Sequence, residues 1–218
     1  MTIRRSRRRP VAKIIPGSTQ PQPRRPRIAK IRKMDSIAKY QQDLAETIRG
    51  IDIEGVRKAV ALFSEARDNG RTIFVCGNGG SAGSASHFVC DVLKGASFGR
   101  DKKFRILSLN DNLPTLTAYS NDVGYDIVFS EQLKNFAQPG DVFLTISGSG
   151  NSPNVLKGIE TATALGCKTI AMTGRDGGKL APLAQLNLHI PNQHMGRIED
   201  AHMAMCHMIA YHFMEEGY

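Results

Sequence analysis

His87 and Asp91 stand four residues apart in the stretch GNGGSAGSASHFVCD, residues 77–91. On a helix this spacing puts an imidazole and a carboxylate on one face, one turn apart, which is half of a metal site. A second group of donors lies in GRIEDAHMAMCHMIAYHF, residues 196–213. There Glu199 and His202 form an i,i+3 pair. Glu199 and His207 are eight residues apart, about 12 Å along a continuous helix, so they share an ion only by leaning together, through a break, or across subunits. His202, His207 and His212 also belong to a Met-rich apolar helix, where packing is the commoner reason for a histidine. For His87, satisfaction within its own helix is the plainer alternative. His194, in the loop PNQHMG, is a remoter candidate.

Two Gly-Ser turns offer a different chemistry. GNGGS, 77–81, and SGSGNS, 147–152, each follow an apolar run and lead into a helical pattern. Gly79, Gly80, Gly148 and Gly150 let backbone N–H groups approach a ligand, while Ser81, Ser147, Ser149 and Ser152 add hydroxyl donors beside helix N-termini that favour an anion. Neither turn is a P-loop, because the Lys-Ser/Thr pair is absent, and Ala82 breaks the dinucleotide pattern Gly-x-Gly-x-x-Gly. Two such turns at equivalent ends of successive strand–helix units point to a phosphorylated ligand. Asn121 and Asp122, just before Gly124, read by themselves as a turn.

The elements that must position these residues follow from periodicity. Helical spacing of apolar residues predicts helices over 35–50 and 54–70, each ending at glycine. The strand 71–76 leads through GNGGS into one helix over 81–95. A strand at 104–109 precedes helical or loop material through 113–137. The strand 141–147, the turn 148–152 and a helix over 153–166 come next. A strand at 167–174, the turn RDGG, a strand at 186–190 and a helix over 196–217 complete the chain. Strand–helix alternation predicts an α/β fold: a doubly wound, flavodoxin-like parallel sheet flanked by helices in three layers, α/β/α. In such sheets ligands bind beyond the carboxyl ends of the strands, which is where both turns fall.

Composition sets the outer limits. The chain has 218 residues, 41% of them hydrophobic, which is enough for one sizeable core, and no apolar run nears the roughly 20 residues of a membrane span. A soluble protein without a membrane partner is expected. Cys76, Cys90, Cys167 and Cys206 lack the paired spacing of a zinc knuckle or redox motif, which predicts buried thiols in a reducing cytoplasm. The net charge of +9 is uneven: residues 1–34 hold twelve of the 29 Lys and Arg and no acid, leaving 17 bases against 20 acids elsewhere. The chain thus divides into a basic, Pro- and Arg-rich leader, 1–34, with too little apolar surface to fold, and a slightly acidic domain, 35–218. The leader suits a nucleic-acid or polyanion-binding arm, an organellar transit peptide, or translated upstream sequence ahead of Met34. A solvated tail or upstream sequence is preferred, and no function is drawn from it.

The segments GNGGS…H, ISGSGNSPNVLKGI, TGRDGGKLA and RIEDAHMAMCHMIAYHF, in this order, resemble the sugar isomerase (SIS) fold and, within it, the phosphoheptose isomerases. The resemblance covers about residues 35–218. It implies a cytoplasmic homotetramer that converts sedoheptulose 7-phosphate into D-glycero-D-manno-heptose 7-phosphate, with a divalent metal, usually zinc, near the sugar. It places sugar-phosphate contacts on Asn78, Gly79, Gly80, Asp91, Asn121, Asp122, Ser147, Gly148, Ser149, Ser152 and Glu199. It places metal ligands on His87, Asp91, Glu199 and His207, with Asp91 as base and His207 as acid; by spacing alone His202 is the better partner for Glu199.

Three positions depart from the family pattern. Asp91 stands where the family has Glu, one methylene and roughly 1.5 Å short, when a misplacement of about 1 Å can cost a hundredfold in rate. Glu199 replaces a Gln, and Gly148 stands where Thr is common. Two His and two carboxylates still make a set that zinc or manganese accepts. The other reading the resemblance implies is non-catalytic: a sugar-phosphate-binding regulator, or an adaptor that binds the bacterial replication initiator. An adaptor has no need of four metal-linked side chains.

Overall fold

The computed structural model describes residues 28–215, with side chains from Asp35 onward. Most of the leader expected over 1–34 lies outside the described residues. The first helix, α1, runs Ile28–Arg49, so it starts ahead of Asp35. Two units part after Ala38: the short N-terminal one, and a body from Lys39 onward that contains every other element.

Five strands form the sheet of the body: β1 (Thr72–Gly77), β2 (Arg105–Ser108), β3 (Val142–Ser147), β4 (Lys168–Gly174) and β5 (Leu186–Ile190). All pair in parallel, in the order β2-β1-β3-β4-β5. Side chains alternate between faces along a strand, so each central strand feeds two cores. Ile73, Val75, Val142, Leu144 and Ile146 meet one layer of helices: α2 (Ile53–Asp68), α3 (Gly80–Cys90) and α7 (Met195–Glu215). Phe74, Cys76, Phe143 and Ala171 meet the other, α5 (Val128–Phe136) and α6 (Pro153–Ala164). The doubly wound three-layer reading therefore holds.

Three local expectations change. The segment 113–137 resolves into α4 (Leu113–Asp122), a 3-10 turn at Tyr125–Ile127, and α5. Asn112 caps α4 by accepting the Thr115 N–H at 3.2 Å, and Pro114 sits in the first turn, where its missing donor costs nothing. Second, the helix expected over 81–95 switches at Asp91 into a π-helical turn, Asp91–Gly95, closed by the Ala96 N–H on the Asp91 carbonyl at 3.0 Å. Such single π turns occur mostly at functional sites. Third, Cys76, Cys167 and Cys206 are buried as expected, whereas Cys90 is exposed.

The strand order reverses between β1 and β3, and the carboxyl ends of these neighbours diverge to opposite helix layers. That leaves a crevice at the switch point. Residues 39–49 of α1 brace the near wall of this crevice: Tyr40 donates to Asp200 at 2.6 Å, Thr47 accepts from Asn192 at 2.8 Å, and Asp43 pairs with Arg197. The start of α7 is thereby held in place.

Candidate functional site

At the switch point lies a cavity of about 290 Å³, lined by Asn78, Gly79, Gly80 and Ser81 from the turn after β1, by Ile146, Ser147, Gly148, Ser149 and Ser152 from the turn after β3, and by Met195 and Glu199 of α7. The two Gly-Ser turns thus form one site. Gly79 caps α3 with φ 54°, a conformation side chains resist. Gly150, at φ 61°, has the carbonyl oxygen of Gly177 only 2.2 Å from where a Cβ would stand, so only glycine lets the RDGG turn buttress it. The Ser147 hydroxyl oxygen accepts the Gly150 N–H at 3.2 Å, and that of Ser149 accepts the Asn151 N–H at 3.3 Å. With their acceptor sides engaged, both hydroxyls keep an O–H for a ligand oxygen. This arrangement suits a phosphate.

Two side chains hold the cavity's shape. Asn78 and Asn154 exchange a pair of amide hydrogen bonds, each 2.8 Å, and Asn78 Oδ1 also accepts from the Tyr125 hydroxyl at 2.8 Å. Asn78, expected as a substrate contact, therefore spends most of its capacity joining the first turn to α6. Asn110 accepts from the Gly77 N–H at 3.1 Å and donates to its carbonyl at 2.9 Å, fixing the end of β1 beyond the last β2 pair. Nothing in the sequence singled out Asn110, Asn154 or Tyr125. Asn121 and Asp122, also expected at the substrate, do not line the cavity. They bond to each other at 2.8 Å at the end of α4, and Asp122 lines a separate depression with Thr115, Ala118, Tyr119 and Val123.

Further along α3 and α7 a second constellation forms. Gly80 faces Glu199, and His87 faces His207, so the two helices run side by side in the same direction. His87 Nε2 lies 3.2 Å from Asp91 Oδ2, His207 Nε2 lies 3.7 Å from the same oxygen, and the two Nε2 atoms are 3.2 Å apart. One ligand atom from each of the three lies within 4.8 Å of the others, and among the described residues this is the group able to hold a metal ion. Asp91 Oδ2 is buried and has no hydrogen-bond partner. Its polar neighbours are the two imidazole nitrogens, and a cation held between the oxygen and their lone pairs would satisfy all three. The residues fit a divalent ion.

Glu199 and His202 stand apart from this group. Glu199 faces the cavity, its carboxylate oxygens 3.0 and 3.1 Å from the place a Cβ on Gly80 would take. Within one subunit it belongs to the anion end and does not join His87, Asp91 and His207. His202, the competitor of His207, is fully buried and its Nε2 is 3.1 Å from the Thr173 carbonyl. Burial pulls its pKa down to about 4, so it is a neutral core histidine. Near the site, His194 packs edge-on to the ring of Tyr40, with ring centroids 5.5 Å apart, and His212 edges Phe213 at 5.2 Å.

Residues 37–174 match the family model of the SIS domain. A probable phosphoheptose isomerase of Thermoplasma volcanium is 42% identical over 178 residues, 81% of this chain and 90% of the relative. The phosphoheptose isomerase of Aliarcobacter butzleri is 40% identical over 78% of this chain and 89% of its own. Among solved structures, a phosphoheptose isomerase from Neisseria gonorrhoeae superposes with a TM-score of 0.77 at 30% identity, covering 84% of this chain and 98% of that one.

Proposed function

We infer the activity of this chain from its kinship: it belongs to the SIS-domain family and, within it, to the phosphoheptose isomerases. It is an intramolecular isomerase of a phosphorylated heptose, interconverting sedoheptulose 7-phosphate and D-glycero-D-manno-heptose 7-phosphate.

One observation carries the mechanism: His87, Asp91 and His207 meet about two helical turns along the α3–α7 pair from the anion cavity. Seven residues of α3 separate Gly80 from His87, about 10 Å of helix, a span that an extended seven-carbon chain ending in phosphate can bridge. Ser147, Ser149 and the N-terminus of α3 bind the phosphate, which orients C1 and C2 toward the cluster.

Aldose–ketose isomerisation moves one proton between neighbouring carbons. Asp91 takes a proton from C1 of the ketose, the C1–H electron pair forms the enediol double bond, and return of the proton to C2 gives the aldose. The proton on O1 must pass to O2 in the same event. The contact between His87 and His207 is attractive only when one Nε2 carries a proton. In the proposed mechanism His207 gives such a proton to the substrate oxygens. A carboxylate has two oxygens, so Asp91 can face the cluster with Oδ2 and the substrate with Oδ1. His87, Asp91 and His207 would hold a divalent cation, with zinc suited to the imidazole-rich set; when bound it supplies, in place of the shared proton, the positive charge that stabilises the enediolate oxygens. An adaptor has no use for these three converging donors.

Exposed apolar side chains support association of copies of the chain, in keeping with the homotetramer that the resemblance implies: Leu93 and Phe98 follow Asp91 in the chain, and Tyr211 edges His207 with centroids 6.0 Å apart. Four free thiols suit a reducing cytoplasm. NMR of sedoheptulose 7-phosphate with this protein and with Asp91→Ala tests the reading: aldose signals should grow with the first and not with the second. Equal rates in the two would remove Asp91 from the mechanism.

A further inference from the structure

Both turns of the anion cavity leave out a side chain where α7 reaches in. The carboxylate of Glu199 lies over Gly80, and one turn earlier on the same face the thioether of Met195 lies over Gly148. A Cβ on Gly148 would come within 2.6 Å of Met195 Sδ and 3.5 Å of its Cε, with Ile198 Cγ2 next at 3.4 Å. The backbone of Gly148 is not in the left-handed region, so any residue could adopt its conformation. What a side chain at 148 would meet first is the Met195 thioether, which would have to turn aside.

The backbone that carries Met195 is held in place, so only rotation of its side chain can give that space back. It is the first residue of α7, and the turn before it is pinned: Asn192 accepts the Arg175 N–H at 3.1 Å and donates to Thr47 at 2.8 Å, and its side chain accepts the His194 N–H at 2.9 Å. The His194 carbonyl then accepts the Ile198 N–H at 3.1 Å. The thioether lines a cavity whose other walls are the turn backbones and serines, Asn78, Ile146 and the Glu199 carboxylate. An adaptable apolar side chain in the wall of a polar cavity sets its width without competing for hydrogen bonds.

We propose that Met195, seated in the gap left by Gly148, is a specificity-determining residue: it sets the width of the phosphate cavity and thereby favours sedoheptulose 7-phosphate over shorter sugar phosphates. The inference rests on the isomerase reading above. The thioether keeps the phosphate end in one position, so only a chain of the right length brings its carbonyl end to His87, Asp91 and His207. Without it the phosphate end settles in several positions, and chain length is read poorly.

Calorimetric binding of sedoheptulose 7-phosphate and of a five-carbon aldose 5-phosphate to the wild type, Met195→Ala, Gly148→Ala and the double variant tests this. In Met195→Ala the ratio of the two dissociation constants should shrink by about tenfold, and Met195→Leu, of similar volume, should keep it. Gly148→Ala should weaken the seven-carbon probe at least about fivefold, and adding Met195→Ala should recover that loss to within about twofold, because removal of the thioether makes room for the new methyl group. An unchanged ratio in Met195→Ala, or losses that multiply in the double variant, would overturn the proposal. If Gly148→Ala does not fold, the Ala and Leu variants at 195 decide alone. The readout is binding, so it stands apart from turnover: a wild type that binds both probes and isomerises neither contradicts the isomerase reading and leaves the ratio to judge Met195.

Discussion

The Nε2 atoms of His87 and His207 lie 3.2 Å apart although 120 residues separate them in the chain. Two imidazoles rarely present the same ring atom to each other beside a buried carboxylate oxygen unless something positive is shared among them. Asp91, the shorter carboxylate, stands where α3 passes into the π-helical turn.

His207→Ala should lower kcat by about a hundredfold or more, the usual worth of a positioned acid or base, with little change in melting temperature because the side chain is partly exposed. His202→Ala should do the reverse, costing stability through a buried cavity and a bare Thr173 carbonyl while leaving kcat within a few-fold. Steady-state kinetics and thermal melts on the pair check this; a kcat collapse confined to His202→Ala would reverse the assignment.

Glu199→Gln should tighten inorganic phosphate binding several-fold, since it removes a negative charge from the cavity that receives the phosphate. In Glu199→Ala, which removes every donor atom, metal content after reconstitution should stay that of the wild type, because Glu199 is not among the converging ligands. Calorimetry with phosphate on the Gln variant and elemental analysis of the Ala variant read the two effects separately. Loss of metal in Glu199→Ala would return the residue to the ligand set that the family resemblance implies.

Asn154→Ala breaks the reciprocal amide pair and leaves Asn78 short of two partners, a cost of about 2–3 kcal/mol. The two Gly-Ser turns then lose their fixed spacing. KM for the sugar phosphate should rise about tenfold or more while kcat, set at the remote cluster, stays within a few-fold. A fall in kcat at constant KM would show that Asn154 acts on the chemistry instead.

Stability should depend on pH through His202. Its folded pKa, about 4, lies below the ordinary value of 6.5, so the unfolded chain binds the extra proton first on acidification. Stability is therefore full above pH 6.5 and lost progressively as pH falls toward 4, by roughly 3 kcal/mol in all. Chemical denaturation of the wild type and His202→Gln at pH 7 and pH 4.5 checks the sign: the variant should show a smaller drop. An equal drop would assign the acid sensitivity to other groups.

Much of this was legible in the residues. The five strands and the two Gly-Ser turns follow from apolar runs ending in glycine and serine, because parallel strands buried on both faces leave a strong local signal. His87 and Asp91 were visible as an i,i+4 pair. Choosing His207 over His202 was beyond spacing, since both lie on one apolar helix and only the packing shows which is sealed under β4. For Glu199 the distance from His207 was readable, but not that Gly80 opens a space for its carboxylate at the other end of α3. Asn110 and Asn154 were hidden because an amide that ties a backbone turn looks in sequence like any loop asparagine. Asn121 and Asp122 were expected at the substrate through the family resemblance, whereas within the described residues they pair with each other.

In the proposed function His87, Asp91 and His207 act as one metal-assisted isomerisation centre. Its most direct test is conversion of sedoheptulose 7-phosphate by chelator-stripped protein before and after one equivalent of zinc per subunit, alongside Asp91→Ala treated identically. Zinc should restore turnover in the stripped wild type, bind at one per subunit, and restore nothing in the variant. Turnover by the stripped protein equal to that of the reconstituted one, with no stoichiometric metal bound, would contradict it.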